Sequence, residues 1–136
     1  MKKTKYDEQK LIEAARQARK FAHARYSHFQ VGAALLTKDG RIITGSNVES
    51  SSYGLTICAE RVALTKALSE GIEQFEAIAI AARDGMFTPP CGACRQLLFD
   101  YAPDIDVILS NGHEFQKFKL KELLPHAFDD SSLGEK

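Results

Sequence analysis

Three cysteines constrain what this chain can fold into more than any other feature. Cys58 stands alone, and Cys91 and Cys94 follow in the run Pro90-Cys91-Gly92-Ala93-Cys94-Arg95. An odd number of cysteines leaves one unpaired in any disulfide framework. Met1-Lys2-Lys3 is not followed by an apolar signal segment, and no apolar run approaches a membrane span. A cytoplasmic, reducing environment is therefore expected, and there a metal site or a nucleophile accounts for the cysteines better than cross-linking does. If one metal ion takes all three sulfurs, the fold must carry residue 58 and residues 91–94 to one place.

Hydrophobic periodicity shows how that is done. From Asp7 to about Ala24 the apolar residues Leu11, Ile12, Ala15, Ala18, Phe21 and Ala22 fall near one helical face. Residues 30–47 read as two strands, VGAALLT and RIITGSN, joined at Asp39-Gly40, a strong hairpin signal. A Ser-rich loop from Glu49 to Gly54 precedes a helix that starts near Cys58 and stops at Gly71. EAIAIAA, residues 76–82, reads as a strand and leads to a loop ending in Pro89-Pro90. A short helix then runs from Cys91 to about Tyr101, DVILS forms another strand, and Asn111-Gly112 turns the chain into a last strand over His113 to Lys119. LKELLPHAF closes with a helical turn broken at Pro125. The expected fold is a three-layer α/β/α sandwich around a mixed sheet of about five strands. Right-handed crossovers in such a sheet bring the starts of the two cysteine-bearing helices together. At 136 residues and 15.1 kDa, residues 1–136 are expected to form a single domain.

The chemistry follows from residue types and spacing. A Cys-x-x-Cys pair in the first turn of a helix points both sulfurs the same way, and the helix N-terminus favours thiolate, the form that binds metal. Pro89 and Pro90 suit the approach to a helix start. With Cys58 at a comparable start, the ligand set is three thiolates. His23, His28, His113 and His126 lack the spacing of a fourth ligand, so the site reads as open. Structural zinc sites are closed by four protein ligands, whereas catalytic ones keep a position for water. Glu60, two residues after Cys58, reaches that open side without ligating, as a carboxylate that takes a proton from the activated water and hands it to the substrate.

Cys58-Ala59-Glu60 followed by Pro90-Cys91-Gly92-Ala93-Cys94 is the zinc deaminase signature. With it come Tyr26-Ser27-His28-Phe29-Gln30-Val31-Gly32-Ala33-Ala34-Leu35, Asn47-Val48-Glu49, and Leu123-Leu124-Pro125 with Phe128. Over nearly its whole length the chain resembles the small cytidine deaminases. That resemblance implies the cytidine deaminase-like fold, one Zn²⁺ per chain, and hydrolytic deamination of cytidine and deoxycytidine in pyrimidine salvage. It also implies that Asn47 and Glu49 bond the ribose 3′-hydroxyl, that Phe29 packs on the nucleoside and that Ala59 offers its N–H to the pyrimidine. Arg61, and with it Arg95, would offset the negative charge of three thiolates. The family's homotetramers imply cross-subunit contacts at Tyr53 and Phe128. The chain departs from the family at Arg25, where proline is usual, and at Ser50-Ser51-Ser52, where an Asn-Ala run is usual.

Charge separates the remaining readings. Eighteen basic and eighteen acidic residues cancel, and there is no Trp. The stretch Lys2, Lys3, Lys5, Lys10, Arg16, Arg19, Lys20 and Arg25 reads as a solvated helix face. A nucleic-acid editor requires a basic groove and aromatic platforms, so neither nucleic acid nor membrane is an expected partner; a free nucleoside is. A zinc-stabilised interaction module predicts a fourth ligand and no task for Glu60. A cysteine nucleophile paired with His28 or His113 leaves the Cys-x-x-Cys pair unexplained. A blasticidin-type deaminase shares the zinc motifs but not the reason for Asn47-Val48-Glu49.

Overall fold

Along the strand Phe75–Ala81 isoleucines alternate with alanines, which helps to build two unlike faces of one sheet. The computed structural model describes residues 6–133; Lys2, Lys3 and Lys5 of the basic stretch lie outside them. Among the described residues the strands are β1 (Gly32–Thr37), β2 (Ile42–Ser46), β3 (Phe75–Ala81), β4 (Asp106–Ser110) and β5 (Phe115–Lys119). The α-helices are α1 (Glu8–Arg19), α2 (Ala59–Ser69), α3 (Gly92–Tyr101) and the single turn α4 (Leu120–Leu123). The sheet order is β2-β1-β3-β4-β5, with β3 and β4 parallel and the other neighbours antiparallel. This is the expected mixed five-stranded α/β sandwich.

Ala34, Leu36, Ala77, Ala79, Ala81 and Ile108 face α1 and pack on its Leu11, Ile12 and Ala15. The small side chains let the helix backbone come close: a Cβ on Gly32 would lie 2.0 Å from the Ala15 carbonyl oxygen. The opposite face carries Leu35, Ile78, Ile80, Val107 and Leu109, buried against Ala59, Ala63, Leu64 and Ala67 of α2 and Leu98 of α3. Each fully buried Leu, Ile or Val side chain contributes about 1.5–3 kcal/mol, so this thicker layer is the stronger anchor of α2 and α3.

The first helix is shorter than its apolar pattern suggests. Asp7 caps it by accepting from the Lys10 N–H at 3.1 Å, but it ends at Arg19, and Phe21 is 73% exposed. Beyond it the chain turns so that the His23 N–H donates to Asn47 O and the His23 carbonyl accepts from Glu49 N–H. That pairing sets residues 23–31 beside the loop that leads to Cys58. The turns at Gly40 and Gly112, with φ of 92° and 95°, close both hairpins.

Candidate metal centre and active site

Both cysteine-bearing helices begin at the same end of the sheet. β2 and β3 flank antiparallel β1 and so run parallel to each other and to β4. Since α2 links β2 to β3 and α3 links β3 to β4, both helix starts emerge at the carboxyl ends of parallel strands, where sheets of this kind gather ligands. β1 runs the other way, so residues 26–31 leading into it arrive at the same end. The loop before α2 is tied down by paired backbone bonds between Val48 and Ile57, at 3.0 and 2.9 Å.

Cys58 is the N-cap of α2, Cys91 the N-cap of α3, and Cys94 the third residue of α3. N-cap positions favour Ser, Thr, Asp or Asn, whose side chains satisfy the helix. Neither cysteine caps its helix, and their sulfurs converge instead. Cys58 Sγ lies 3.9 Å from Cys91 Sγ, and Cys91 Sγ lies 3.3 Å from Cys94 Sγ. Tetrahedral zinc with Zn–S arms of about 2.3 Å holds its sulfurs about 3.8 Å apart, and these edges bracket that value. Disulfide sulfurs are bonded at about 2.05 Å; all three cysteines are free. Cys58, Cys91 and Cys94 are the cluster among the described residues that suits a metal ion.

The thiols already divide charge. Cys58 is lowered to about 5, first because Cys94 bonds its sulfur, and then because Arg61 helps to outweigh its burial. Cys94 moves the other way: it donates to Cys58, is buried and faces Glu60. A divalent cation among the three sulfurs would take over what that shared proton does. Arg61 Nη2 donates to Cys58 Sγ at 3.6 Å and to Thr56 O at 3.3 Å, while its Nε is buried with no hydrogen-bond partner among the described residues. The donor set and its compensating cation therefore fit zinc.

Glu60, the second residue of α2, is 5% exposed. Burial pushes its carboxyl up to about 7; the Cys58 charge adds to this, while its own backbone N–H and Cys94 pull it back. Such a carboxyl holds and releases a proton near neutrality. Ala59 is fully buried and opens α2, so its N–H has no acceptor within the helix. Arg95 does not join the sulfurs by hydrogen bonding: its Nε donates to Pro90 O and its Nη1 to Leu123 O, both at 2.8 Å. It ties the loop before Cys91 to the C-terminal segment.

The residues expected at the nucleoside form a second group at this sheet end. Asn47 is 8% exposed; its Oδ1 accepts from Val31 N–H and its Nδ2 donates to Phe29 O, both at 2.9 Å. Glu49 is only partly buried. Its Oε1 accepts from the N–H groups of Tyr26 and Ser27 at 3.0 Å, and its Oε2 from the Ser27 hydroxyl. Those bonds, those from Ser27 first, hold its carboxyl below the usual range. Ser27 was visible only as part of the Tyr26-Ser27 motif, because its partner lies 22 residues away. Tyr53, in a short 3₁₀ turn, and Phe128 are 83% and 57% exposed.

Comparison with known proteins agrees with this geometry. The sequence model of the cytidine and deoxycytidylate deaminase zinc-binding region matches residues 5–109. A cytidine deaminase of Halalkalibacterium halodurans is 50% identical over 131 residues, 95% of this chain and 99% of that one. The crystal structure of a cytidine deaminase from Burkholderia pseudomallei superposes with a TM-score of 0.87 at 45% identity, covering 90% of this chain and 100% of the other. A blasticidin-S deaminase of Bacillus cereus is more distant, 36% identical over 103 residues, 70% of this chain and 74% of that one. Three converging sulfurs, a buried carboxyl beside them and a family match that spans both motifs lead to one conclusion: the chain belongs to the cytidine and deoxycytidylate deaminase zinc-binding family.

Proposed function

We propose that residues 1–136 act as a single catalytic domain that hydrolyses cytidine and deoxycytidine to uridine and deoxyuridine, releasing ammonia. The observation that carries this reading is the Glu60 carboxyl, buried against a triangle of sulfurs that leaves one side open. Cys58, Cys91 and Cys94 would hold zinc, which would supply the Lewis acidity that makes water a nucleophile at neutral pH. Glu60 accepts the proton as the water oxygen adds to C4 of the pyrimidine. It returns that proton to N3, then takes the remaining proton from the new C4 hydroxyl and delivers it to the amine. C4 becomes a carbonyl as the C4–N bond breaks and ammonia leaves. The N–H of Ala59 and the first turn of α2 hold the base, and Arg61 balances the thiolate charge.

Counting bonds supports a hydroxyl at Asn47 and Glu49. One Nδ2 hydrogen of Asn47 remains after Phe29 O is served, and the carboxylate of Glu49, with about four acceptor positions, keeps one after three bonds. One spare donor and one spare acceptor match a hydroxyl that accepts and donates, as the ribose 3′-hydroxyl does. Phe29 supplies an aromatic wall beside it. Exposed Tyr53, Leu55 and Phe128 support assembly of the homotetramer, with Tyr53 and Phe128 reaching a neighbour. Free thiols suit a cytoplasmic setting, and conversion of cytidine to uridine is a step of pyrimidine salvage; no helix among the described residues is long and apolar enough to cross a membrane.

The test is ammonia release by zinc-loaded protein from cytidine, deoxycytidine, cytosine and CMP, beside the Glu60→Ala variant. Both nucleosides are expected to react, and the variant to keep its zinc while losing at least about 10²–10⁴ in kcat. No release from either nucleoside, or near-normal turnover without Glu60, would overturn the reading.

A further inference from the structure

The backbone of Phe29 is fixed on both sides. Its N–H donates to Ser27 Oγ at 3.0 Å and its carbonyl accepts from Asn47 Nδ2 at 2.9 Å. His28 before it has a φ of 59°, a left-handed conformation that a non-glycine residue keeps only where its surroundings impose it. The ring is half-buried, and the guanidinium of exposed Arg83 lies over it, 5.6 Å from its centroid. Arg83 stands on a pinned turn just beyond β3. Its carbonyl accepts from Met86 N–H, and Gly85 N–H donates to Asn111 O at 2.7 Å. Gly112 packs so closely on the neighbouring Asp84 that a Cβ there would lie 2.6 Å from the carboxylate.

We infer that Arg83 is a positioning residue of this deaminase: its guanidinium, stacked on Phe29, sets the plane of the aromatic wall against which the nucleoside binds. The inference rests on Phe29 being a nucleoside contact. Cytidine has no net charge at neutral pH, so Arg83 exerts no long-range pull on it, and its influence passes through the ring. The stack exists before substrate arrives and serves ground state and transition state alike, so its loss raises KM and leaves kcat.

The experiment is steady-state kinetics of zinc-loaded R83A, R83K, F29A and F29A/R83A on cytidine and on CMP, with thermal melts of each. R83A is expected to raise KM for cytidine about two- to five-fold, as loss of an exposed cation–π pair does, with kcat and Tm held. R83K recovers part of the loss, since it keeps the charge without the planar stack. F29A raises KM at least as far, and adding R83A changes nothing more. Wild-type KM in F29A overturns the reading of Phe29 as a nucleoside contact. An impaired F29A beside an unaffected R83A, or losses that multiply in the double variant, overturns the role of Arg83 alone. So does an R83A defect confined to CMP, which would make Arg83 a phosphate ligand.

Discussion

Gly45 sits where β2 meets the start of α2, and replacing it by alanine tests whether helix placement controls the metal site. A Cβ at residue 45 would lie 2.5 Å from Ala59 O and 2.6 Å from Ala63 N. Both are backbone atoms of the first turns of α2, so no side chain can swing aside. The gap to ordinary contact is about 0.8–0.9 Å, and α2 must retreat by about that distance or its start must deform. Overpacking of this kind costs about 1–3 kcal/mol, which for a domain of this size lowers Tm by roughly 3–12 °C. The same retreat carries Cys58 away from Cys91, stretching an edge that stands at 3.9 Å against the roughly 3.8 Å of a tetrahedral thiolate site. Gly45→Ala should therefore lose zinc as well as stability, measured by metal content of the folded fraction beside a thermal melt. Gly32→Ala is the control: its Cβ would strike Ala15 O of α1, on the other face of the sheet, so stability falls while zinc per folded chain holds. A Gly45→Ala protein with full zinc and wild-type Tm would refute the argument.

With Asn47 and Glu49 holding the ribose 3′-hydroxyl as proposed, a nucleoside lacking it would leave their spare donor and acceptor unpaired; 3′-deoxycytidine should lose at least about 10² in kcat/KM, and equal turnover would exclude the clamp. At the opposite end of the sheet, burial pushes the Asp106 carboxyl up, but Lys119 at 2.7 Å and the Tyr6 hydroxyl at 2.7 Å outweigh it and hold it below the usual range. A carboxyl lowered in the folded state contributes stability above its unfolded value, about 3.9, and loses it as pH falls through the folded one. Asp106→Asn should thus lower Tm at pH 7, by about 1–2 kcal/mol of stability, with the gap closing below about pH 4; a gap independent of pH would count against the ion pairs. Chelation should abolish ammonia release and lower Tm, since one ion ties the starts of α2 and α3 together, and added zinc should restore both. A sample free of metal by elemental analysis that still deaminates cytidine would contradict the assignment.

What could be read from sequence was what local pattern encodes. Short runs bounded by turn residues placed β1 to β5, and Asp39-Gly40 and Asn111-Gly112 marked turns where the structure has positive-φ glycines. The three cysteines were legible because ligand spacing is itself local: N-cap and third residue of one helix, N-cap of another. Long-range ties were not legible. Phe21 has the right periodicity for the α1 face, yet the helix stops short because His23 pairs with Asn47 and Glu49. Arg95 follows a ligand in sequence, as Arg61 nearly does, but its hydrogen-bond acceptors are the carbonyls of Pro90 and Leu123. A cation's destination depends on which acceptors the fold leaves within reach, and spacing does not encode that.

The same contrast divides the site by mechanical character. Cys58, Glu60, Cys91 and Cys94 stand on the first turns of helices anchored in the bulkier layer of the core, through Ala63, Leu64 and Leu98. Chemistry needs that rigidity, because a misplacement of about 1 Å costs on the order of 10² in rate. Phe29, Asn47 and Glu49 stand instead on connections between elements, held by individual hydrogen bonds: Tyr26 and Ser27 to Glu49, Asn47 to Phe29, and Val31 to Asn47. If these three contact the nucleoside as proposed, substitutions there should change which nucleoside fits without disturbing the metal, whereas substitutions under α2 should disturb both. Ser50-Ser51-Ser52 falls in the adjustable half: Ser50 N–H bonds Thr56 Oγ1 and its own hydroxyl accepts from Ser52 N–H, which closes the loop locally and leaves the thiolate triangle untouched. The departure from the family's usual run is therefore absorbed within the loop itself.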